Sequence, residues 1–166
     1  IYLEETDLID ENNHFSAEVF TKYKSNLMNV KFKGIKPEKA TEGSSGYDLR
    51  NNEGKSFILK PFGRQIIKTG LFLEMPVGLE AQVRPRSGLA AKYGITVLNA
   101  PGTIDSDYRG EVGVILYNSN PHTITIERNE RIAQLVFAKV EHPLWEEETL
   151  SETERGNGGY GSTGKI

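Results

Sequence analysis

The sequence of 166 residues contains no cysteine, and it has no apolar run as long as a membrane span. The lack of cysteine excludes disulfides, thiolate nucleophiles and zinc–thiolate centres. A helix needs about 18 consecutive apolar residues to cross a bilayer, so we expect no membrane association. A basic-then-apolar leader is also missing, which predicts a location in the cytoplasm, or in the nucleus of a eukaryotic cell.

An excess of positive charge is absent too. The 20 Lys and Arg residues face 23 Asp and Glu residues, which gives a net charge of −3. Such a chain has no overall basic field to hold a nucleic-acid backbone by counterion release, so we expect no nucleic-acid partner. With 37% hydrophobic and 26% charged residues, the composition is typical of a soluble globular protein, and the length predicts one main domain.

Short β-rich runs dominate the chain from Val30 onward, each closed by Gly, Pro or Asn. They are VKFKGI, SFILKP, RQIIKTGLFLEM, LEAQVRP, GITVL, GEVGVILYN, TITIE and RIAQLVFAKV. Many closely spaced strands predict an all-β antiparallel sandwich or barrel. One short internal helix is predicted from Leu89 to Tyr93, with Ser87 placed to cap its start.

The pattern divides the chain into an N-terminal arm (1–29), a β domain (30–150) and a glycine-rich C-terminal segment (151–166). Apolar residues recur in the arm at roughly helical spacing behind Ser16, a candidate N-cap, which favours a short amphipathic helix. The arm is either a docking arm or linker, or a partner-binding helix. Its apolar residues are Phe15, Val19, Phe20, Tyr23 and Leu27.

Five segments combine charged, hydroxyl and glycine residues. They are SSGYDL (44–49), PRSGLA (85–90), NAPGTIDSDYRG (99–110), ERIAQLV (130–136) and RGNGGYGSTG (155–164). Each has an ordinary structural explanation when taken alone: a helix cap beside a surface arginine, a polar turn, a surface amide, or a disordered terminus. The three histidines are scattered and indicate neither a catalytic triad nor a metal cluster.

Taken together, the segments favour a bound polyphosphate. Arginines, hydroxyls and backbone N–H groups of glycine loops bind phosphate oxygens, and aspartates or water suit Mg²⁺. A Walker motif and a dinucleotide-binding fingerprint are both missing. The residues by themselves therefore predict a β-rich protein that handles a phosphorylated ligand such as a nucleotide.

In this order and spacing, the five segments closely resemble the five motifs of the trimeric dUTP pyrophosphatases (dUTPases), from about Val30 to Gly164. The resemblance implies a jelly-roll-like β-barrel of the dUTPase-like β-clip type, assembled as a homotrimer with shared active sites. It also implies hydrolysis of dUTP to dUMP and pyrophosphate with Mg²⁺ bound to the triphosphate. Such an activity keeps uracil out of DNA and supplies dUMP for dTMP synthesis.

The resemblance further implies a role for individual residues in the first four motifs. Asp105 resembles the general base that activates water for attack on the α-phosphorus, whereas Asp107 is not the base. Asp48 would hold Mg²⁺ through water, and Tyr108 would lie flat under the deoxyribose. Gln134 would bind a phosphate oxygen or the catalytic water. The residues that would meet the phosphates at the helix start are Arg86, Ser87 and Gly88.

The remaining implied roles concern uracil and the C-terminal segment. A hairpin between Gly94 and Tyr108, with Asn99 and Thr103, would read the base, although Ala100 and Pro101 depart from the small residues usual at this turn. The C-terminal segment would close as a lid on a neighbouring subunit's site. Its contributing residues would be Arg155 at the γ-phosphate, Gly159, Tyr160 stacked on uracil, and Ser162 and Thr163 as phosphate donors.

Two alternatives stay open at this point. One is a dCTP deaminase of the same fold superfamily, which attacks the base and leaves the phosphates intact; the fifth motif and the surroundings of Asp105 speak against it. The other is a non-catalytic nucleotide sensor or regulator on the same fold, with the N-terminal arm as its interaction element.

Overall fold

The computed structural model describes residues 29–159, and the predicted N-terminal helix lies outside them. Among the described residues, no helix is long and apolar enough to cross a membrane. The elements in chain order are β1 (Lys31–Gly34), β2 (Glu38–Lys39), β3 (Tyr47–Arg50), β4 (Phe57–Leu59), β5 (Arg64–Glu74), β6 (Leu79–Arg84), α1 (Ser87–Tyr93), β7 (Ile95–Val97), β8 (Gly102–Ile104), β9 (Glu111–Asn118), β10 (Ile124–Ile126) and β11 (Arg131–Lys139).

The strands form three antiparallel sheets. One sheet has the order β1-β5-β9-β7, a two-stranded ribbon joins β10 to β4, and the third sheet has the order β2-β3-β11-β6-β8. None of the three closes on itself within the part of the chain that the structure describes. The prediction of an all-β fold with one short internal helix is confirmed.

A single apolar core lies between the two larger sheets. Burial alternates along β9, where Val112, Val114 and Leu116 are buried and their neighbours are only half-buried. Ala81 and Leu135 close the same core from the five-stranded sheet. Because successive side chains of a strand point to opposite faces, this period of two directs every second residue inward and leaves the outer face for polar groups.

Two fully buried asparagines fasten the β4–β10 ribbon to the larger sheets. The Asn118 side-chain amide donates to three backbone carbonyls, those of Leu59, Lys60 and His122. Asn51 donates to the carbonyls of Lys55 and Glu127 at the other end of the ribbon. A buried carbonyl without a donor costs about 1 to 3 kcal/mol, so these amides satisfy groups that the sheets leave unpaired.

The prediction of a hairpin between Gly94 and Tyr108 is wrong, because the two strands in this range do not pair with each other. β7 pairs with β9 in the four-stranded sheet, whereas β8 pairs with β6 in the five-stranded sheet. The four intervening residues 98–101 therefore form a corner between two sheets, with a cis bond before Pro101. Each flanking strand instead adds to the edge of a different larger sheet, with three residue pairs on each side.

After Lys139 the chain has no further strand as far as Gly159, and residues 141–157 are exposed. The chain leaves the sheet at Val140, whose N–H donates to the Gly78 carbonyl.

Candidate active site

Asp48 lies between two arginines on the outer face of the five-stranded sheet. Arg86 Nε is 3.2 Å from Asp48 Oδ1, and Arg131 Nη1 is 3.2 Å from Asp48 Oδ2. Arg86 Nη1 also donates to the Arg131 carbonyl at 3.0 Å, which closes a ring of three residues. The Asp48 side chain is only 15% exposed. This ring, Asp48–Arg86–Arg131, carries one negative and two positive charges, so its net charge of about +1 favours an anion.

Gln134 supports the ring from the neighbouring strand. It pairs in register with Asp48 on one side and with Arg84 on the other. Its Nε2 donates to the Pro85 carbonyl at 2.8 Å, directly before Arg86. A Cβ at Gly46 would collide with Gln134 Oε1, so only glycine leaves room for this amide. Gln134 is thus half-buried and held in place.

A bulge in β11 places Arg131 and Gln134 on the same face. The pairing of β11 with β3 shifts register between Arg131 and Ala133. Ile132 and Ala133 are both buried as a result, and the residues on either side of them point outward. In a regular strand, residues three apart face opposite ways, so the bulge brings two polar side chains to one site. The alternation of apolar residues in the sequence does not predict this bulge, so Arg131 is not among the predicted site residues.

The predicted cap by Ser87 is wrong. Arg86 is the N-cap, with φ −94° and ψ 128°, and no side chain of the described residues makes a cap hydrogen bond. The first helical bond runs from the Ala90 N–H to the Arg86 carbonyl, which makes Ser87 the first helical residue. Helix α1 accordingly begins two residues before the predicted start. Since Ser87 is exposed and does not cap the helix, its hydroxyl is available to a ligand.

Asp105 begins a tight turn immediately after β8. The Tyr108 N–H donates to the Asp105 carbonyl at 3.1 Å, and both side chains are exposed. The Tyr108 hydroxyl donates to the Glu111 carbonyl at 3.1 Å, which fixes the ring across the turn. Arg109 Nη1 donates to the Ser106 carbonyl at 2.8 Å, which stabilises the turn. The carboxylate of Asp105 therefore lies on a rigid, open corner.

The corner between β7 and β8 carries the other predicted base-reading residues. Asn99 is exposed, and its amide packs over Gly102, where a Cβ would lie 3.0 Å from Nδ2. Thr103 is exposed on β8 and pairs with Gln82. Thr103 is two residues before Asp105, so this corner and the following turn form a second group of candidate residues.

The two groups lie far apart within one chain. Ile104 of β8 pairs with Ala81 of β6. Asp48 pairs across β11 with Arg84, which lies three residues beyond Ala81 on β6. β8 is also three strands away from β3. With about 3.3 Å per residue and 4.8 Å per strand, Ile104 lies about 17 Å from Asp48. A single chain therefore does not bring Asp105 to the ring.

The C-terminal segment is described only as far as Gly159. Arg155 is exposed, and its Nε donates to the Gly158 carbonyl at 2.9 Å within a local turn. The other residues predicted for the lid, Tyr160, Ser162 and Thr163, lie outside the described residues. Gly159 is half-buried.

The model of one protein family, the dUTPases, matches residues 33–164 of the sequence. The chain belongs to the dUTPase family. The match contains all five segments from SSGYDL to RGNGGYGSTG and leaves out the N-terminal arm.

Curated relatives agree with the family. The chain is 57% identical over 129 residues to the deoxyuridine 5'-triphosphate nucleotidohydrolase of Neorickettsia sennetsu, covering 77% of this chain and 87% of that protein. It is 53% identical over 148 residues to the enzyme of the same name from Treponema denticola, covering 89% and 98%. Membership confirms the predicted enzyme class, a hydrolase of the dUTP diphosphatase type.

A solved structure supports the fold. The solved structure of a mutant dUTPase of Staphylococcus bacteriophage 80alpha with dUpNHpp superposes with a TM-score of 0.72 at 25% identity. The match covers 82% of this chain and 98% of that one. The predicted jelly-roll-like dUTPase fold is thereby confirmed.

The described residues contain no cluster of three or more His, Asp or Glu side chains that could enclose a metal ion. Each oxygen of Asp48 already lies 3.2 Å from an arginine nitrogen, which leaves little room for direct coordination. A carboxylate has about four acceptor positions, however, so Asp48 could still accept from metal-bound water. This donor set fits Mg²⁺ that arrives with a triphosphate and keeps several waters.

Proposed function

We propose that this dUTPase family member converts dUTP to dUMP and pyrophosphate by attack of water on the α-phosphorus, with Asp105 as the general base and Mg²⁺ as the cofactor. We further propose that it works as a homotrimer in which each site combines segments of different copies. The observation that carries the proposal is the Asp48–Arg86–Arg131 ring, a rigid and positively charged seat beside the exposed Ser87 hydroxyl.

The phosphates would bind at the ring and the start of α1. Within residues 29–159, Arg86 faces Asp48 with Nε and donates one Nη1 hydrogen to the Arg131 carbonyl, and its side chain is 27% exposed. Its remaining N–H groups are free to donate to phosphate oxygens in the planar arrangement that suits an oxyanion. Ser87 and the Gly88 backbone would contribute further donors, and Gln134 would bind a phosphate oxygen or the catalytic water.

The reaction needs little covalent participation by the protein. The water oxygen bonds to the α-phosphorus, the bond from that phosphorus to the bridging oxygen breaks, and the water proton passes to Asp105. Pyrophosphate leaves from the opposite side. Bound Mg²⁺ neutralises part of the charge on the triphosphate, and Asp48 would hold it through water. General base catalysis of this kind contributes about 10² to 10⁴ in rate.

Sugar selection would rest on Tyr108. Its hydroxyl hydrogen is donated to the Glu111 carbonyl, so the residue presents a ring face and no hydroxyl donor to the substrate. A ribose 2′-hydroxyl forced against this ring would lose its water partners, at a cost of about 1 to 3 kcal/mol. Asn99 and Thr103 would contact uracil at the corner between β7 and β8.

Shared sites follow from the distance between the two groups of residues. The water that Asp105 activates must be within about 3 Å of the reacting phosphorus, which in turn must lie at the ring. Because about 17 Å separates Ile104 from Asp48 in one chain, the Asp105 turn of one copy would complete the ring of another. Closed assemblies of identical chains provide such pairs repeatedly.

The C-terminal segment would act as the lid. Arg155 would clamp the γ-phosphate, Tyr160 would stack on uracil, and Gly159, Ser162 and Thr163 would donate to the substrate. Glycine allows backbone N–H groups to approach phosphates closely. Ordering such a segment costs conformational entropy, so closure would occur with substrate bound.

A substrate panel tests the proposal. Pyrophosphate and ammonia would be measured with dUTP, UTP, dCTP and dTTP in the presence of Mg²⁺, with EDTA as the control for the metal. We expect pyrophosphate from dUTP at a rate that exceeds the other three by about tenfold or more. Ammonia from dCTP would establish the deaminase alternative instead, and tight dUTP binding without turnover would establish the sensor alternative.

A further inference from the structure

Arg131 contacts both partners of the phosphate seat. Its guanidinium holds Asp48 Oδ2 at 3.2 Å, and its backbone carbonyl accepts from Arg86 Nη1 at 3.0 Å. The bulge in β11 is what brings it there, since it turns Arg131 to the same face as Gln134. The Arg131 side chain is 44% exposed, so it is not needed to fill the core.

We propose that Arg131 is a positioning residue that keeps Arg86 available to the triphosphate. The inference rests on the proposed function, because it gives Arg86 the phosphate as its ligand. Arg131 donates to Asp48 Oδ2, whereas the ion pair between Asp48 and Arg86 is made at Oδ1. Arg86 is oriented by one ion pair and keeps its other N–H groups for substrate.

Removal of the Arg131 side chain would change how Asp48 binds Arg86. Asp48 would have an unpaired oxygen at 15% exposure, and a partly buried carboxylate oxygen without a donor is unfavourable. The nearest remaining cation is Arg86, and arginine and carboxylate readily form a bidentate pair. Asp48 would then take two N–H groups of Arg86 and withdraw them from the phosphates. The substitution would weaken substrate binding more than it slows the chemical step.

The chain supplies a matched control at the register partner of Arg131. Arg50 lies opposite Arg131 on β3 and is also partly exposed. Its Nη1 donates to the Asn129 carbonyl at 2.9 Å, and it makes no ion pair with Asp48 among the described residues. Arg50→Gln therefore removes one positive charge directly opposite Arg131 and leaves the three residues of the ring intact.

The test is calorimetric titration of the trimer with dUpNHpp and Mg²⁺, together with steady-state turnover of dUTP. Arg131→Gln should weaken dUpNHpp binding by about tenfold, as expected for loss of a charge-assisted contact, and lower kcat by less than about threefold. Arg131→Lys should restore most of the affinity, because the contact with Oδ2 uses a single nitrogen. Arg50→Gln should bind like the unaltered protein.

A double variant separates positioning from general support of the fold. With Asp48→Asn already present, Arg131→Gln should weaken binding by less than about twofold, since the competing carboxylate is gone. An equal loss in both backgrounds would overturn the inference, as would unchanged binding by Arg131→Gln or a loss that Arg131→Lys does not restore. Failure of the unaltered protein to release pyrophosphate from dUTP would instead refute the proposed function.

Discussion

Gly110 lies directly against the ring of Tyr108. A Cβ at position 110 would be 2.8 Å from Tyr108 Cε2 and closer still to Cζ and Oη. Only glycine therefore permits the ring to cross the turn and its hydroxyl to donate to the Glu111 carbonyl. The position of the proposed sugar-selecting ring thus depends on a neighbour that has no side chain.

Gly110→Ala should displace the Tyr108 ring and weaken the discrimination between dUTP and UTP. The ratio of kcat/KM for the two substrates should fall by about tenfold, because a displaced ring no longer opposes a 2′-hydroxyl. Gly43→Ala is the matched control, since a Cβ there meets nothing within 4 Å. An unchanged ratio in Gly110→Ala would show that the Tyr108 ring does not select the sugar.

Asp105→Asn should keep substrate affinity and lose turnover. The amide is nearly the same size but cannot accept the water proton, so kcat should fall by about 10² to 10⁴. Single-turnover hydrolysis of dUTP and titration with dUpNHpp measure the two quantities separately. Asp107→Asn, two residues along the same turn, should stay near normal. Near-normal turnover of Asp105→Asn would remove Asp105 from the role of base.

Mixed assemblies should reveal that sites are shared. Arg86→Gln and Asp105→Asn should each be inactive alone, whereas coexpression should restore about a quarter of the sites, since each of the two residues is intact with a chance of one half. Activity per trimer of the unfractionated mixture, with the two variants expressed equally, measures this. Asp105→Asn coexpressed with the double variant should stay inactive. No recovery in the first mixture would mean that both residues act within one copy.

Deletion of residues 156–166 should leave the assembly folded and abolish most turnover. The deletion removes the proposed stacking ring and phosphate donors, and within the described part of the chain the buried apolar residues end at Leu135. We expect an unchanged circular dichroism spectrum and mass in solution, with kcat/KM lower by about 10² or more. Turnover equal to that of the full chain would refute a lid role for this segment.

Asn118→Ala should destabilise the protein without changing the site. The buried amide donates to three backbone carbonyls, and their loss should lower the free energy of unfolding by about 2 to 3 kcal/mol. Denaturant unfolding measures the change. Asn52→Ala, which removes a single half-buried hydrogen bond, should cost clearly less. Equal losses for the two variants would mean that the three Asn118 hydrogen bonds do not stabilise the β4–β10 ribbon.

The strand pattern was readable because it follows local physics. Alternating apolar residues in β5 and β9 bury one face whichever strands become their neighbours, and Gly, Pro and Asn end each run. The short strands β2, β3 and β8 are not predicted. They have two to four residues each, and their pairing comes from longer neighbours in the sheet.

The sequence by itself determined the all-β class, the absence of cysteine chemistry and the five segments that place the chain in the dUTPase family. The tertiary structure decided how their side chains meet. Asp48, Arg86 and Arg131 are separated by 38 and 45 residues, and only the pairing of β11 with both β3 and β6, together with a one-residue bulge, brings them into one ring. A bulge reverses the face of every residue beyond it, so no local periodicity could have assigned Arg131 to the site.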